Sequence, residues 1–399
     1  MGRLLIALGL LASLPVAAHD FDFSADLRLV GASGQTSWLN GGLGKLRFDE
    51  DHDGLRLGQL RFAYRGNPTE TLRLTAEAFA YGDDDVNAVD LTEIFLSWRP
   101  VPQSLWRSEV KLGAFYAPIS LENRMRGWRS PYSLNFSAIN SWVGEELRTI
   151  GLEYNLDWLG QQQGSPFNVG FTAAAYGWND PAGIIVAMRG WAVHDRQTTL
   201  FGKVGQPGQG VIDGRTLFYD DIDGKVGYYA GLTATWRGVL EFRALRYDNH
   251  GDPTAEAPAI DDYAWHTVFD SYGLRWTPGD QWTVIAQVLT GNTAAGDVPP
   301  PNYWRFDSWF VLGSWQRGKH RLTLRYDDFS MRQLVSHFPG YNRDNGQAVT
   351  AAWLLQINDR WSAVIEGLRI DSELAARRRL GAPVAAEEQQ WQLALRYDL

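Results

Sequence analysis

The sequence predicts an all-β fold: a sixteen-stranded antiparallel transmembrane β-barrel. Three observations predict it. Segments with a period of two recur along the chain, each near the ten or so residues that a tilted barrel strand needs. The connections between them alternate between short and long. Aromatic residues are abundant, with 18 Trp, 16 Tyr and 18 Phe, yet no internal run is long and apolar enough for a membrane-spanning helix. A barrel escapes hydropathy because only every second residue faces lipid.

Residues 1–18 read as a secretory signal peptide. Arg3 supplies the positive start, residues 4–14 the apolar run, and Val16-Ala17-Ala18 a small-residue cleavage site. Cleavage near Ala18 leaves residues 19–399 as one barrel, expected in the outer membrane of a Gram-negative cell. From Phe21 the period is two. Phe21, Phe23, Ala25, Leu27 and Leu29 alternate with Asp22, Ser24, Asp26 and Arg28. One apolar and one polar face suit a strand between lipid and water. Strand centres are expected near residues 27, 60, 76, 94, 112, 151, 172, 231, 244, 271, 287, 311, 326, 352, 366 and 395. Parity slips around Gly58, which suggests a bulge. Residues 306–315 are apolar on both parities.

The short connections carry turn residues: Asn67-Pro68-Thr69-Glu70, Arg237-Gly238, Thr277-Pro278-Gly279-Asp280, Arg317-Gly318-Lys319-His320 and Ile357-Asn358-Asp359-Arg360. Long ones are expected at 33–53, 117–145, 178–224, 249–264, 293–304, 331–345 and 372–389, with a shorter loop at 83–88. Short periplasmic turns and longer outer loops are the signature of a bacterial barrel. Trp98, Trp158, Trp236, Trp276, Trp282 and Trp361 all fall beside short turns, as an interfacial belt requires.

Composition excludes several function classes. A formal net charge of -9 argues against a nucleic-acid partner. The absence of cysteine removes disulfides, thiolate metal sites and Cys nucleophiles. No H-E-x-x-H or G-x-S-x-G occurs, so no enzyme and no cofactor is expected. Asp49-Glu50-Asp51-His52-Asp53-Gly54 opens like a calcium loop, but Leu60 stands where the twelfth-position Glu belongs. It reads as a solvated acidic outer loop, bridged by divalent ions to lipopolysaccharide, and not as a metal site. The runs Asp83-Asp84-Asp85 and Asp220-Asp221-Ile222-Asp223-Gly224 read the same way. In the largest loop, RGWAVHDRQ (189–197) holds Arg189, His194, Asp195 and Arg196. A short helix or strand plugging or capping the mouth is expected there.

Residues 117–145 are long for a connection within one domain. They carry Arg124, Arg126 and Arg129 among Trp128, Tyr132, Phe136 and Trp142. Such a loop suits a barrel that narrows its own lumen by folding a connection inward. Guanidinium stays charged and binds phosphate or carboxylate bidentately. The expected constriction is Arg124, Arg126 and Arg129 with Glu122, Lys111 and Glu109; Glu145 and Glu146 are further candidate carboxylates. Arg73, Glu77, Arg243, Arg275 and Arg325 are expected on the lumen wall. Rings of such charges set channel selectivity, Arg and Lys favouring anions.

The passage KLGAFYAPISLE (111–122) resembles the strand-to-loop segment of the phosphate-selective porin O/P family. The resemblance implies a trimeric barrel with an inward third loop and a basic lumen. It makes the expected function passive diffusion of small hydrophilic solutes, leaning toward anions such as phosphate. The expected partners are membrane lipid, lipopolysaccharide and two further copies of the chain. A sugar channel with Trp128, Trp142 and Trp191 as a stacking track is the alternative. An outer-membrane hydrolase or an adhesin is a more distant one.

Overall fold

Alternation along each segment becomes a wall that is apolar outside and polar inside. A computed structural model describes residues 19–82, 89–202, 219–257, 262–337 and 342–399. The signal peptide and the 83–85 acidic run lie outside the described residues. Sixteen strands close into an antiparallel barrel in which each pairs with its sequence neighbours and the last pairs with the first. Leu29, Leu112, Leu232, Leu274, Leu324 and Leu393 point outward and are exposed, while Asp26, Arg28, Arg61, Glu77, Glu153 and Arg325 are buried within. That inversion of the usual rule identifies a wall made to face lipid. Among the described residues no helix is long and apolar enough to cross a membrane.

The sixteen expected centres all fall on strands. Eight strands in a row are short, 9 to 11 residues each. They are β3 (Leu72–Ala80), β4 (Val89–Trp98), β5 (Trp106–Phe115), β6 (Thr149–Trp158), β7 (Phe167–Gly177), β8 (Gly227–Trp236), β9 (Leu240–Asp248) and β10 (His266–Trp276). The other eight are 13 to 16 residues long. They are β11 (Trp282–Ala295), β12 (Asn302–Arg317), β13 (His320–Val335), β14 (Arg343–Gln356), β15 (Trp361–Leu374) and β16 (Ala385–Asp398), then β1 (His19–Ser33) and β2 (Gly54–Gly66). The barrel therefore has a short wall and a tall wall, each half of the circumference.

The tall wall corrects three expected loops. Strands continue to Ala295, Val335 and Leu374, so the connections shrink to 296–301, 336–342 and 375–384. Outward positions there turn polar (Arg305, Asp307, Arg369, Asp371) and inward ones apolar (Phe306, Ile370), which inverts the alternation while backbone pairing carries on. The bulge is real. Asp26 faces Gln59 and Leu27 faces Leu57, leaving Gly58 as the extra residue. Trp98, Trp158, Trp236 and Trp276 end their strands beside short turns, and Trp282 and Trp361 begin theirs. One rim of the barrel thus carries the turns and the Trp belt (the turn end); the other carries the long loops (the loop end).

Candidate functional site

The third long connection, residues 116–148, folds into the barrel. It leaves the middle of the short wall and docks on the tall wall. Tyr116 N–H donates to Glu93 (3.0 Å), and the carbonyls of Pro118 and Ser120 accept from Arg243 on β9 (3.0 and 3.2 Å). Leu121 then passes close over β10. A Cβ on Gly273 would lie 2.6 Å from its Cδ1, so the wall is bare where the loop crosses. Glu122 is fully buried between the loop and β13: it pairs with Arg325 (2.8 Å) and accepts from Ser137 N–H (3.0 Å) and Asn140 (2.9 Å).

The tip turns on two consecutive left-handed residues, Gly127 (φ 67°) and Trp128 (φ 53°). Positive φ is uncommon for a large side chain. Stacking of Trp128 on Tyr116, with centroids 4.4 Å apart, holds it there. The return limb lies on the tall wall. Leu134 and Asn135 donate to Glu366 on β15, and Leu134 packs on Val364 and Ala394. Helix α1 (Ala138–Glu146) follows, capped by Ser137, with Ala138 N–H donating to Asp327 on β13 (3.0 Å). Its Trp142 sits edge-on to Phe269 and Phe306 of the wall, 5.4 and 5.2 Å away. The strand that reads as apolar on both parities, β12, is therefore the one that must face lipid on one side and this helix on the other.

The three loop arginines reach the turn end. Arg124 pairs with Glu241 on β9 (2.6 Å). Arg126 pairs with Asp22 and Asp20 on β1 (2.5 and 3.2 Å). Arg129 pairs with Asp398 on β16 (2.9 Å). β9 stands opposite β1 in a ring of sixteen, so the tip is strapped across the barrel. Arg124 and Arg126 keep 32% and 42% of their side-chain exposure; Arg129 keeps 4%.

Two kinds of interior face each other across that tip. Under the loop, the lower tall wall is dry: Ile285, Leu312, Val364 and Ala394 are fully buried. The lower short wall is wet. Arg73 and Arg99 are exposed there, and Lys111, Asn155, Thr172 and Thr233 are half-buried. Lys111 pairs with Glu153 (2.8 Å), Arg99 with Glu109 (2.9 Å) and Arg243 with Glu241 (3.0 Å). Arg275 is half-buried on β10.

Of the expected constriction, Arg124, Arg126, Lys111 and Glu109 border the wet region, with Arg73 and Arg243 on its wall. Glu122, Arg325 and Glu77 do not. Arg325 is held by Glu122 and Asp327, and Glu77 by Arg61 (2.9 Å), because the loop desolvates that part of the wall and each charge needs a partner. Trp128, Trp142 and Trp191 are buried in one core cluster, without an exposed face for a stacking track.

The described residues of the fourth long connection (loop 4, 178–202 and 219–226) and the first (loop 1, 34–53) fold in at the loop end. Loop 4 sends in helix α2 (Ile184–Met188), whose first N–H groups donate to Glu146 (Gly183 2.9 Å, Ile185 2.8 Å). Burial pushes the Glu146 carboxyl up to about 8. An extended strap, residues 190–200, then crosses beneath loop 1. Val193 N–H donates to the Lys45 carbonyl (3.0 Å), Phe136 N–H to the His194 carbonyl (3.1 Å) and Thr198 N–H to the Gly144 carbonyl (3.2 Å). The segment 189–197 is irregular backbone, not the short helix or strand expected there, and it lies within the barrel. Glu145 is buried with Arg189 (2.6 Å) and His194 (3.1 Å). Burial opposes its ionisation, but the Arg189 guanidinium, with His194 beside it, prevails and holds its carboxyl well below the usual range. Ser141 Oγ bonds the backbone of His194, not its ring, so no nucleophile–base contact exists in this group.

The acidic runs are used locally. Asp49 is buried and accepts from Ser37 N–H (2.9 Å), Asn40 (2.7 Å) and His52 (2.6 Å), while Glu50, Asp51 and Asp53 are exposed, as a solvated loop requires. Asp180 accepts from Ile222 and Asp223 N–H (2.5 and 3.0 Å), closing loop 4 on itself. Sequence reading missed the wall partners Glu366, Asp327 and Asp398, which carry no local signal. It also missed α1, although Ser137 followed by Ile139, Trp142 and Val143 has the cap and the spacing of a helix.

No family model matches the chain, and no curated protein does. Solved structures match along nearly its whole length. An OmpT loop L8 deletion mutant from Vibrio cholerae superposes with a TM-score of 0.53 at 10% identity, covering 96% of this chain and 100% of that one. The anion-selective porin from Comamonas acidovorans gives 0.51 at 12%, covering 96% and 99%. Its fold is the porin-type barrel. Salmonella typhi OmpF, solved with daunomycin, gives 0.53 at 9%, covering 96% and 97%. Identities this low carry the porin-type fold and nothing finer.

Proposed function

We propose that the protein is an outer-membrane channel for passive diffusion of small hydrophilic solutes, with a preference for anions. The observation that carries this reading is the loop-3 tip. It holds Arg124 and Arg126 part-exposed across a solvated wall bearing Arg73, Arg99, Lys111 and Arg243. Cations outnumber carboxylates on that surface, and a channel lined so favours anions. Phosphate is the solute suggested by the KLGAFYAPISLE resemblance. A homotrimer in contact with lipid and lipopolysaccharide follows from the same resemblance, and chemical cross-linking of the refolded protein tests it.

The sugar-channel reading loses its stacking track to the core, and the buried His194 group lacks a nucleophile–base contact, so neither is preferred. Reversal potential in a salt gradient tests the anion reading. Arg124→Ala with Arg126→Ala should move it toward the value of an unselective pore. An unchanged potential in a conducting double variant would reject the role of these arginines.

A further inference from the structure

Arg275, near the turn end of β10, is a charge without a counter-charge of its own. Its guanidinium makes no hydrogen bond or ion pair among the described residues, and its Nε is buried without a partner. The side chain is half-buried, so its outer nitrogens are what meets the wet region. It stands directly opposite Glu241 on β9. That carboxylate is already shared: Oε1 accepts from Arg124 Nη2 (2.6 Å) and from Arg243 Nη2 (3.0 Å). We propose that Arg124, Arg243 and Arg275 form a binding site for a small dianionic oxyanion, a phosphate or a dicarboxylate, at the turn-end mouth of the lumen. The inference rests on the channel reading and deepens it, because it names the class of solute held there.

Three features support it. The first is the charge count. Three guanidinium groups face one carboxylate, Glu241. The next carboxylate along the wall, Glu153, is held by Lys111 (2.8 Å) and accepts from the Tyr229 hydroxyl. Glu109 is held by Arg99 (2.9 Å). Arg321 of β13 lies near enough to Arg275 for their charges to repel, which adds to the excess. A half-buried cation left without a counter-charge is costly, and a dianion supplies what the wall lacks.

The second is preorganisation. Arg124 Nε donates to the Leu121 carbonyl (3.1 Å), and Arg243 Nη1 donates to the carbonyls of Pro118 and Ser120 (3.0 and 3.2 Å). Loop 3 thus aims two of the three side chains before any solute arrives, and little side-chain freedom remains to be lost on binding. The third is placement. Arg275 lies two residues beyond Gly273 on the same face of β10, just past the point where Leu121 crosses the wall. The three arginines therefore meet under one edge of the loop. Guanidinium forks match the paired oxygens of phosphate or carboxylate, and a halide offers no such pair.

The test uses the full refolded barrel, shown to be folded by heat-modifiable gel mobility. Isothermal titration at mildly alkaline pH should give one saturable site for inorganic phosphate and for succinate, and none for chloride or acetate at equal ionic strength. Phosphate binding without succinate binding narrows the site to tetrahedral oxyanions; succinate without phosphate narrows it to dicarboxylates. Arg275→Gln removes no hydrogen bond within the protein, and it should weaken binding about tenfold or more. Arg275→Lys, which keeps the charge and loses the fork, should fall between the two and keeps the test open if the Gln variant fails to fold. Arg107→Gln, which removes a cation paired with Asp157 elsewhere on the turn-end wall, should leave binding unchanged. Absence of a saturable site, equal binding by Arg275→Gln, or an equal loss in Arg107→Gln overturns the site. Planar-bilayer conductance separates the two readings. If the barrel conducts with anion preference but binds neither dianion, the site falls and the channel reading stands. If phosphate binds and Arg275→Gln abolishes it in a barrel that does not conduct, the channel reading falls and the site stands.

Discussion

The two halves of the barrel solve different problems with the same alternating strands. The short wall, β3 to β10, keeps much of its turn-end interior in water, and its charges there are part-exposed pairs such as Arg99–Glu109. The tall wall, β11 to β2, is covered by loop 3, and its charges are sealed: Arg325 between Glu122 and Asp327, Arg28 between Asp26 and Asp195. An exposed pair contributes little and is free to meet a passing ion. A sealed pair anchors, because removing one partner leaves an uncompensated charge. The difference separates residues that select solutes from residues that hold the loop in place.

The largest expected effect is on the sealed side. Glu122→Ala strands Arg325 and removes the acceptor for Ser137 and Asn140. It should cost about 3–5 kcal/mol, read as a lower urea midpoint of the refolded barrel, with larger and noisier conductance as loop 3 leaves the wall. Wild-type conductance and stability in this variant would break the comparison. Trp142→Ala attacks the same docking through packing. Loss of a large aromatic from a filled core costs about 3–5 kcal/mol, and here the cost falls within the barrel while the lipid-facing surface is untouched. An intact midpoint would mean that α1 is not packed against β12.

A smaller effect is expected from pH. Burial raises Glu146 from 4.5 to about 8. The folded state therefore retains a proton that the unfolded chain has lost between those values. The stability from this group is fully present below 4.5 and is lost as pH rises through about 8. The contact between α1 and α2 should loosen above that pH, seen as faster hydrogen exchange at Ile185, and Glu146→Gln should remove the dependence. The smallest effect on stability belongs to the wet wall. Arg73→Gln with Arg99→Gln should leave the urea midpoint in place while shifting the reversal potential away from anions. A change in midpoint without a change in selectivity would reverse the assignment of the two walls.

Strand positions were legible because lipid outside and water inside impose a period of two, and that period needs no long-range information. The tops of β13 and β15 were hidden because polar residues face outward there and apolar ones (Phe329, Met331, Ile370, Leu374) face inward, the reverse of the lipid-facing pattern, while the top of β11 lacks large apolar residues. The Gly58 bulge was visible as a parity slip, and the doubled apolar character of β12 was visible without its cause. Within the loop, the basic and aromatic content marked the right segment, but not which arginine would stay in contact with water. Arg124, Arg126 and Arg129 are near-equivalent in sequence; only the arrival of Asp398 beside Arg129, from the far end of the chain, makes that one a buried fastener.

By itself the sequence determined the barrel, its strand number, its turn end and loop end, and the connection that folds inward. These follow from local alternation and turn chemistry. The tertiary structure alone decided which interior charges face water and which are sealed. That depends on partners such as Glu122 with Arg325, or Asp195 with Arg28, brought together across the barrel from segments far apart in the chain. A buried charge is fixed by the neighbour that compensates it, and a pattern along one strand cannot name that neighbour.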